Sequence, residues 1–242
     1  RAAIMGQFAG AIEGMAEACR ALDFPVVSGN VSFYNETGGE AVLPTPAIGG
    51  LGLLETFETR AEAAFKAEGE IVMLVGESRG HLGASLWLAE VAGREAGAPP
   101  PVDLAAERRN GAFVRDLIAQ GTCRAVHDLS DGGLAVALAE MALAGGIGAR
   151  IDVGALGLPL QAALFGEDQG RYLIALAQET AEAVRTRAKD AGVPITALGE
   201  TGGDRLVVAG AIDVDLAHLR ARHEDWFPAY MASGRGAARR AG

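Results

Sequence analysis

Small polar side chains are concentrated in one short stretch of the sequence, VSGNVSFYNET at residues 27–37. In an extended strand alternate side chains share a face, so we expect Asn30 and Ser32 to point the same way. Gly29 lets the backbone approach a ligand closely, the amide oxygen of Asn30 suits Mg²⁺, and the hydroxyl of Ser32 can bond a phosphate or carbonyl oxygen. The stretch predicts a metal-phosphate site; the alternative is a polar edge strand that only satisfies turn backbone.

Two further stretches place glycines where a strand or loop leads into a helix. VHDLSDGGLAVALAE, residues 126–140, puts Asp131 at the N-cap position before Gly132 and Gly133. This junction fits a nucleotide phosphate site and fits an ordinary helix cap equally well. The loop GESRGHLG, residues 76–83, lacks the Gly-Lys-Ser/Thr ending of a Walker A motif. It indicates either a phosphate loop or a turn that needs its glycines.

A fourth polar stretch, LFGEDQGRYLIAL, lies at the entrance of a predicted strand over residues 164–176. Its polar members are Glu167, Asp168, Gln169 and Arg171. They fit a binding site or a surface salt-bridge cluster. The four histidines are scattered, so neither a Ser–His–Asp arrangement nor a Cys/His metal cluster is indicated. His127 is expected to be a structural, hydrogen-bonded histidine.

The elements that must position these groups alternate between helix and strand. Apolar residues three or four apart predict an amphipathic helix over residues 4–22, and a strand is predicted at 24–28. EIVMLVG, residues 70–76, is a continuous apolar run typical of a buried strand. A helix is predicted near 83–94, and ITALGETGGDRLVVAG, residues 195–210, predicts a hairpin. The pattern indicates an α/β (α+β) fold.

Composition narrows the possible classes of function. Half of the 242 residues are hydrophobic and the net charge is −10, which argues against a nucleic-acid or membrane-surface partner. Cys19 and Cys123 are far apart in sequence, which favours a reducing, cytoplasmic compartment. We find no apolar run long enough to span a bilayer. The chain begins at Arg1 and enters a helical pattern directly, which suggests a fragment of a longer polypeptide or a trimmed chain.

Several long stretches together resemble one family, the small-type phosphoribosylformylglycinamidine synthase, synthetase subunit (PurL family). The resemblance runs from Ile4 to about Ala232. The family belongs to the superfamily of aminoimidazole ribonucleotide synthetase, selenophosphate synthetase and thiamine-monophosphate kinase. The stretches that carry the resemblance are, in order, IMGQFAGAIEGMAEACRALDFPVVSGNVSFYNET, LPTPAIGGLGLLE, GHLGASL, APPPVDL, VHDLSDGGLAVALAEMALAGGIGA and LFGEDQGRY.

The resemblance implies a domain organisation. Residues 1–65 correspond to part of a second N-type, ATP-binding domain with the PurM N-terminal-like fold. Residues 66–232 correspond to the second C-type domain, a PurM C-terminal-like α/β domain, and 233–242 are expected to form a disordered tail. The catalytic histidines of the family lie in a first half that this sequence does not contain. We therefore expect no catalytic residue here, and no activity from the fragment alone.

The resemblance also implies the reaction, an ATP-dependent carbon–nitrogen ligation in de novo purine biosynthesis. Formylglycinamide ribonucleotide is converted to formylglycinamidine ribonucleotide, with ammonia from a separate glutaminase subunit and with a small accessory subunit in the same complex. The implied cofactors are ATP and Mg²⁺. Carried over residue by residue, Gly29 contacts ATP, Asn30 binds Mg²⁺ and Ser32 contacts the substrate. The alternatives are another ATP-using member of the superfamily, such as a kinase, or a non-catalytic scaffold half.

One departure from the family pattern concerns the C-type domain. The substrate-binding Glu-Ser-Gln of the first half corresponds here to residues 167–169, Glu-Asp-Gln. An aspartate at the middle position repels a phosphate. The resemblance therefore implies that the pocket of this domain, with Asp128 and Asp131, is a degenerate or structural nucleotide site.

Overall fold

The computed structural model describes residues 2–32 and 34–233. The chain divides into two compact units, unit 1 over Arg1–Glu55 and unit 2 over Thr56–Gly242. The predicted disordered tail at 233–242 lies outside the described residues, apart from Ser233.

Unit 1 consists of one long helix and a very short hairpin. Helix α1 spans Ala2–Leu22, as the apolar spacing predicts, and the two-residue strands β1 (Glu36–Thr37) and β2 (Glu40–Ala41) pair antiparallel. The strand predicted at 24–28 is wrong, because no described part of unit 1 pairs with it. Among residues 2–32 and 34–55 no side chain is fully buried. The local sequence pattern predicts α1, and no fully buried core accompanies it in the described part of unit 1.

Unit 2 is built on a seven-stranded sheet with the strand order β4-β6-β3-β7-β5-β8-β9. All pairs are antiparallel except β5 with β8, which are parallel. The mixed sheet and its helices confirm the predicted α/β fold class. The strands are β3 (Ile71–Val75), β4 (Ala125–Asp128), β5 (Ala149–Ile151), β6 (Tyr172–Leu176), β7 (Ile195–Thr201), β8 (Arg205–Val208) and β9 (Ile212–Asp215).

The hairpin predicted over residues 195–210 is wrong, because β5 lies between β7 and β8. The two glycines of the expected turn bond to Gly148 instead of to each other: Gly202 N–H donates to Gly148 O at 2.8 Å, and Gly148 N–H donates to Gly203 O at 2.7 Å. A Cβ atom on Gly148 would stand 2.1 Å from Arg205 O. This glycine lets β5 enter between the two strands.

Helices cover both faces of the sheet and create two apolar cores. Alternate residues of β3 divide between them: Val72 and Leu74 face the core of α3, α4 and α6, whereas Met73 and Val75 face the core of α2 and α5. This alternation is expected of a strand buried on both sides. The helices are α2 (Leu104–Ala119), α3 (Gly133–Gly145), α4 (Leu160–Phe165), α5 (Gln178–Asp190) and α6 (Leu216–Ala232).

The helix predicted near 83–94 is shorter than expected, a single π-helical stretch at Trp87–Val91. Short 3₁₀ turns occur at Phe57–Thr59 and Gly154–Leu156. In the described part of the chain, no helix combines the length and the apolar character needed to span a bilayer.

Candidate functional site

In unit 1 the sequence-predicted site lies in a segment with backbone hydrogen bonds near both of its ends. Phe24 N–H donates to Cys19 O at 2.9 Å, which closes α1, and Val42 N–H donates to Asn35 O at 3.1 Å, which extends the hairpin. Between these bonds, residues 25–32 and 34 have no regular secondary structure. We call these residues the polar segment.

Gly29, Asn30 and Ser32 are all exposed in the polar segment. In the portion of the chain that is described, neither Asn30 nor Ser32 makes a side-chain hydrogen bond. A Cβ atom on Gly29 would meet no other atom within 4 Å, so packing inside unit 1 does not require a glycine there. The alternative from the sequence, in which the side chains of Asn30 and Ser32 bond turn backbone, is supported by no side-chain hydrogen bond of either residue among those described.

The neighbouring Tyr34 differs, because its side chain has a local partner. A hydrogen bond with Glu36, and to a smaller extent desolvation, raises the pKa of the Tyr34 phenol. The Glu36 carboxylate is thereby engaged next to the polar segment. The side-chain oxygens of Asn30 and Ser32, by contrast, have no hydrogen-bond partner among the described residues.

In unit 2 the Glu167 side chain joins two distant chain segments. Its Oε1 accepts the N–H of Leu86 at 2.9 Å, just before the π-helix, and the N–H of Gly132 at 2.8 Å, at the start of α3. The N-cap predicted for Asp131 is therefore wrong. The cap residue is Gly132, with φ of 78° and no side-chain cap bond of its own, and its amide is satisfied by Glu167.

Asp168 and Arg171 form the buried centre of the same turn. Asp168 Oδ2 accepts the N–H groups of Arg79 at 3.0 Å and Gly80 at 2.8 Å. The Arg171 guanidinium has no exposed surface and lies 4.0 Å from that oxygen. Burial lowers the pKa of Arg171, while the charges of Asp168 and then Glu167 act to raise it. The predicted alternative of a surface salt-bridge cluster is wrong for Asp168 and Arg171, because both are buried, whereas Gln169 is exposed.

Glycines of the 76–83 loop are required by close packing. Gly80 has φ of 76°, and a Cβ atom on it would stand 2.7 Å from Ala162 Cβ in α4. A Cβ atom on Gly83 would stand 2.6 Å from Ala98 O. These contacts support the interpretation that the loop needs its glycines for packing.

The remaining candidates of unit 2 are engaged locally or buried. His127 Nε2 lies 2.8 Å from Glu140 Oε2, as expected of a structural histidine, and its Nδ1 lies 3.4 Å from the exposed Asp128. Burial raises the pKa of the Cys123 thiol to about 12, so this thiol stays protonated at neutral pH. The described residues contain no group of three or more His, Cys, Asp or Glu side chains that could hold a metal ion.

An open groove of about 680 Å³ lies on the sheet of unit 2, and none of its lining residues belongs to the three predicted motifs of this unit. Arg150 on β5 and Arg185 on α5 line it, together with Glu200 on β7. Nothing in the sequence singles out these residues, because they are isolated charges in ordinary strand and helix patterns. Arg150 and Glu200 are direct cross-strand partners, so opposite charges stand next to each other on an exposed part of the sheet.

Two protein-family models match the chain. One is described as AIR synthase related protein, N-terminal domain, and matches residues 2–54; the other is AIR synthase related protein, C-terminal domain, and matches residues 67–211. The second match covers more than half of the 242 residues.

Curated relatives match over nearly the whole chain. Phosphoribosylformylglycinamidine synthase subunit PurL of Parvibaculum lavamentivorans is 59% identical over 233 residues, and that of Bradyrhizobium sp. (strain BTAi1) is 57% identical over 231 residues. Each alignment covers 96% of this chain and 31% of the relative, so the chain spans about a third of the length of these relatives. The resemblance inferred from the sequence motifs is confirmed.

Solved structures share the fold at low sequence identity. Thermotoga maritima PurL complexed with FGAR has a TM-score of 0.59 at 17% identity, covering 67% of this chain and 30% of that one. The PurLQS structure from the same organism has a TM-score of 0.55 at 14% identity, with coverages of 67% and 28%. T. maritima PurL complexed with ATP has a TM-score of 0.53 at 16% identity, with coverages of 67% and 27%.

Proposed function

We propose, on the premise that the chain belongs to the AIR synthase related protein family, that it forms the ATP- and Mg²⁺-binding end of a phosphoribosylformylglycinamidine synthase. The reaction is an ATP-dependent carbon–nitrogen ligation. ATP phosphorylates the amide oxygen of formylglycinamide ribonucleotide, and ammonia then displaces phosphate to give formylglycinamidine ribonucleotide, ADP and phosphate. The similarity to PurL subunits over 96% of the chain supports this reaction.

The observation that carries the site proposal is the polar segment. The exposed amide of Asn30 and the exposed hydroxyl of Ser32 make no side-chain bond within the described residues, so they remain available to a ligand. In the proposal the backbone at Gly29 lies against ATP, Asn30 directs its amide oxygen to the metal, and Ser32 holds the substrate. Phosphoryl transfer depends mainly on such positioning and on charge stabilisation.

The donor set fits Mg²⁺, because this ion keeps several waters and takes few protein oxygens. Asn30 supplies one neutral oxygen and needs no deprotonation to do so. When bound, the metal neutralises charge on the phosphates of ATP. The residues of this chain contribute orientation: Asn30 fixes one ligand position, and the open space at Gly29 admits a phosphate close to the backbone.

Unit 2 is assigned no second catalytic site in this proposal. In its two glycine-rich stretches the N–H of Gly80 is already bonded to Asp168, and the N–H of Gly132 to Glu167. The pocket near Asp128 and Asp131 is therefore structural. No catalytic residue is placed in the chain, and the chain by itself is expected to show no turnover of formylglycinamide ribonucleotide.

Partners follow from the relatives. Structures of PurL with FGAR, with ATP and in the PurLQS assembly support a substrate, a nucleotide and a multi-subunit complex. We propose that a glutaminase subunit delivers ammonia and that a small accessory subunit completes the complex, in the cytoplasm. The domain division proposed is an N-type portion over 1–65 and a C-type domain over 66–232.

An assay of the full-length protein with formylglycinamide ribonucleotide, ATP, Mg²⁺ and ammonia tests this function. The expected products are formylglycinamidine ribonucleotide, ADP and phosphate in equal amounts. Ser32→Ala should raise KM for the ribonucleotide while leaving ATP binding, measured by titration, near the unsubstituted value. A protein that binds no ATP would be the scaffold alternative, and ATP-dependent phosphorylation of another small molecule would be the kinase alternative.

A further inference from the structure

Three consecutive backbone N–H groups converge on one carboxylate in unit 2. Asp168 Oδ2 accepts from Arg79 at 3.0 Å and Gly80 at 2.8 Å, and His81 N–H lies 3.4 Å from both carboxylate oxygens. Successive amides that turn inward around one point form an anion-binding concavity. The left-handed φ of 76° at Gly80 is part of this turn.

A buried cation completes this concavity. Arg171 Nη1 lies 4.0 Å from Asp168 Oδ2 and donates to Ser78 Oγ at 2.9 Å. The other guanidinium nitrogens donate to Asp168 O at 2.9 Å and Gly166 O at 2.7 Å. An isolated buried charge is unfavourable, so Arg171 requires a negative group where the Asp168 carboxylate stands.

The adjacent carboxylate repeats the arrangement on a smaller scale. Glu167 Oε1 accepts two amides, those of Leu86 and Gly132. The consecutive side chains of Glu167 and Asp168 thus accept hydrogen bonds from backbone N–H groups near residues 80, 86 and 132. Asp168, at 7% exposure, is the one that lies beside the buried guanidinium.

We propose that residues 78–81 and Arg171 form an oxyanion-binding site that the chain keeps filled with its own Asp168 carboxylate. The site binds a small oxyanion when that side chain is removed, and it excludes one while the side chain is present. Asp168 therefore holds the 78–81 loop in its binding shape without a ligand. The loop stays ordered whether or not phosphate compounds are present. This inference rests on contacts within unit 2 and is independent of the proposed function.

Formate is the probe that matches the space left when the Asp168 carboxylate is removed. Asp168→Ala keeps Cβ and deletes a planar carboxylate, and formate has the same planar shape and charge. A ligand that binds only the folded state raises stability with its concentration. Asp168→Ala should lower the melting temperature by roughly 10 °C in chloride. Formate at equal ionic strength should restore a concentration-dependent part of that loss and leave the unsubstituted chain unchanged.

Two variants of the full-length protein serve as controls. Asp103→Ala removes an exposed carboxylate that accepts the N–H groups of Ala105 and Ala106 at 3.1 and 3.0 Å. Formate should not restore the melting temperature of this variant. Asp168→Asn removes the charge but still fills the space. It should be destabilised and should also be indifferent to formate.

The result that overturns the proposal is an Asp168→Ala chain that melts at the same temperature in formate and in chloride. If this variant does not fold in chloride, refolding from urea in formate replaces the melting experiment. Recovery of folded protein in formate alone supports the oxyanion site. Failure in both salts, or equal rescue of Asp168→Asn, counts against it.

Discussion

The polar segment of unit 1 and the 166–171 turn of unit 2 both carry polar residues that the sequence singles out, but in opposite environments. The polar segment has polar side chains around Gly29, and the turn has charged and polar side chains between Gly166 and Gly170. In the turn, Asp168 and Arg171 are buried and bonded to chain segments about 90 residues away. In the polar segment, Asn30 and Ser32 are exposed and form no side-chain bond among the described residues. Composition therefore does not distinguish a structural turn from a ligand site. The burial and the hydrogen bonds of each polar side chain do.

The comparison assigns different costs to substitutions in the two regions. Polar atoms that are buried and bonded contribute to the free energy of unfolding, because breaking a bond leaves a partner unsatisfied. Polar atoms that are exposed and unbonded contribute little to that free energy. Their substitution should instead change ligand binding and catalytic rate.

The largest effect on stability is expected from Arg171→Ala. The substitution leaves the buried Asp168 carboxylate without its cation, and breaking a buried pair costs about 3–5 kcal/mol. Urea unfolding of the chain gives this number directly. Arg150→Ala is the matched control, because Arg150 is an exposed arginine on the same sheet, and its loss should stay within about 0.5 kcal/mol. Equal costs for the two arginines would contradict the buried network.

A smaller loss is expected from Glu167→Ala. Two backbone amides, those of Leu86 and Gly132, lose their acceptor, which costs about 1–3 kcal/mol. Hydrogen exchange at those amides, followed by NMR, should show lower protection. Unchanged protection at both amides would show that Glu167 does not cap α3.

The smallest effect is expected from Asp131→Ala. The sequence places Asp131 at the helix cap, but it is exposed and provides no cap bond, so unfolding should change by less than about 0.5 kcal/mol. A decrease in the free energy of unfolding of about 1 kcal/mol, typical for loss of an N-cap, would show that Asp131 caps α3 as the sequence predicts and that Glu167 does not.

Features of local sequence were predictable, and features that depend on distant partners were not. The apolar spacing of α1 and the apolar run of β3 identify a helix and a strand by themselves. The cap of α3 comes from Glu167, 35 positions away, and no local signal at Asp131 reveals it. The 195–210 hairpin fails for the same reason, because Gly148 supplies the bonds that the turn glycines were expected to make with each other.

The candidate site of unit 1 shows what motif recognition adds. Gly29, Asn30 and Ser32 are identified by the types of their side chains and by resemblance to a family. The structure adds that they are exposed and not engaged by described neighbours. The strand predicted at 24–28 is absent from the described structure, because a strand needs a neighbouring strand to pair with, and the local sequence says nothing about such a neighbour.

The central claim is that Asn30 serves a ligand and not the fold. Its most direct test is kcat as a function of Mg²⁺ concentration for Asn30→Ala in the full-length protein, with the melting temperature measured on the same sample. Asn35→Ala is the matched control, because Asn35 is an exposed asparagine of unit 1 whose backbone oxygen bonds Val42. Loss of one transition-state interaction is worth about 2–4 kcal/mol.

We predict that kcat of Asn30→Ala falls by about two to three decades, with a requirement for more Mg²⁺. Its melting temperature should stay within about 2 °C of the unsubstituted protein, and Asn35→Ala should retain the normal rate. An Asn30→Ala protein with a near-normal rate and an unchanged Mg²⁺ dependence would contradict the account and leave Asn30 as a solvated turn residue.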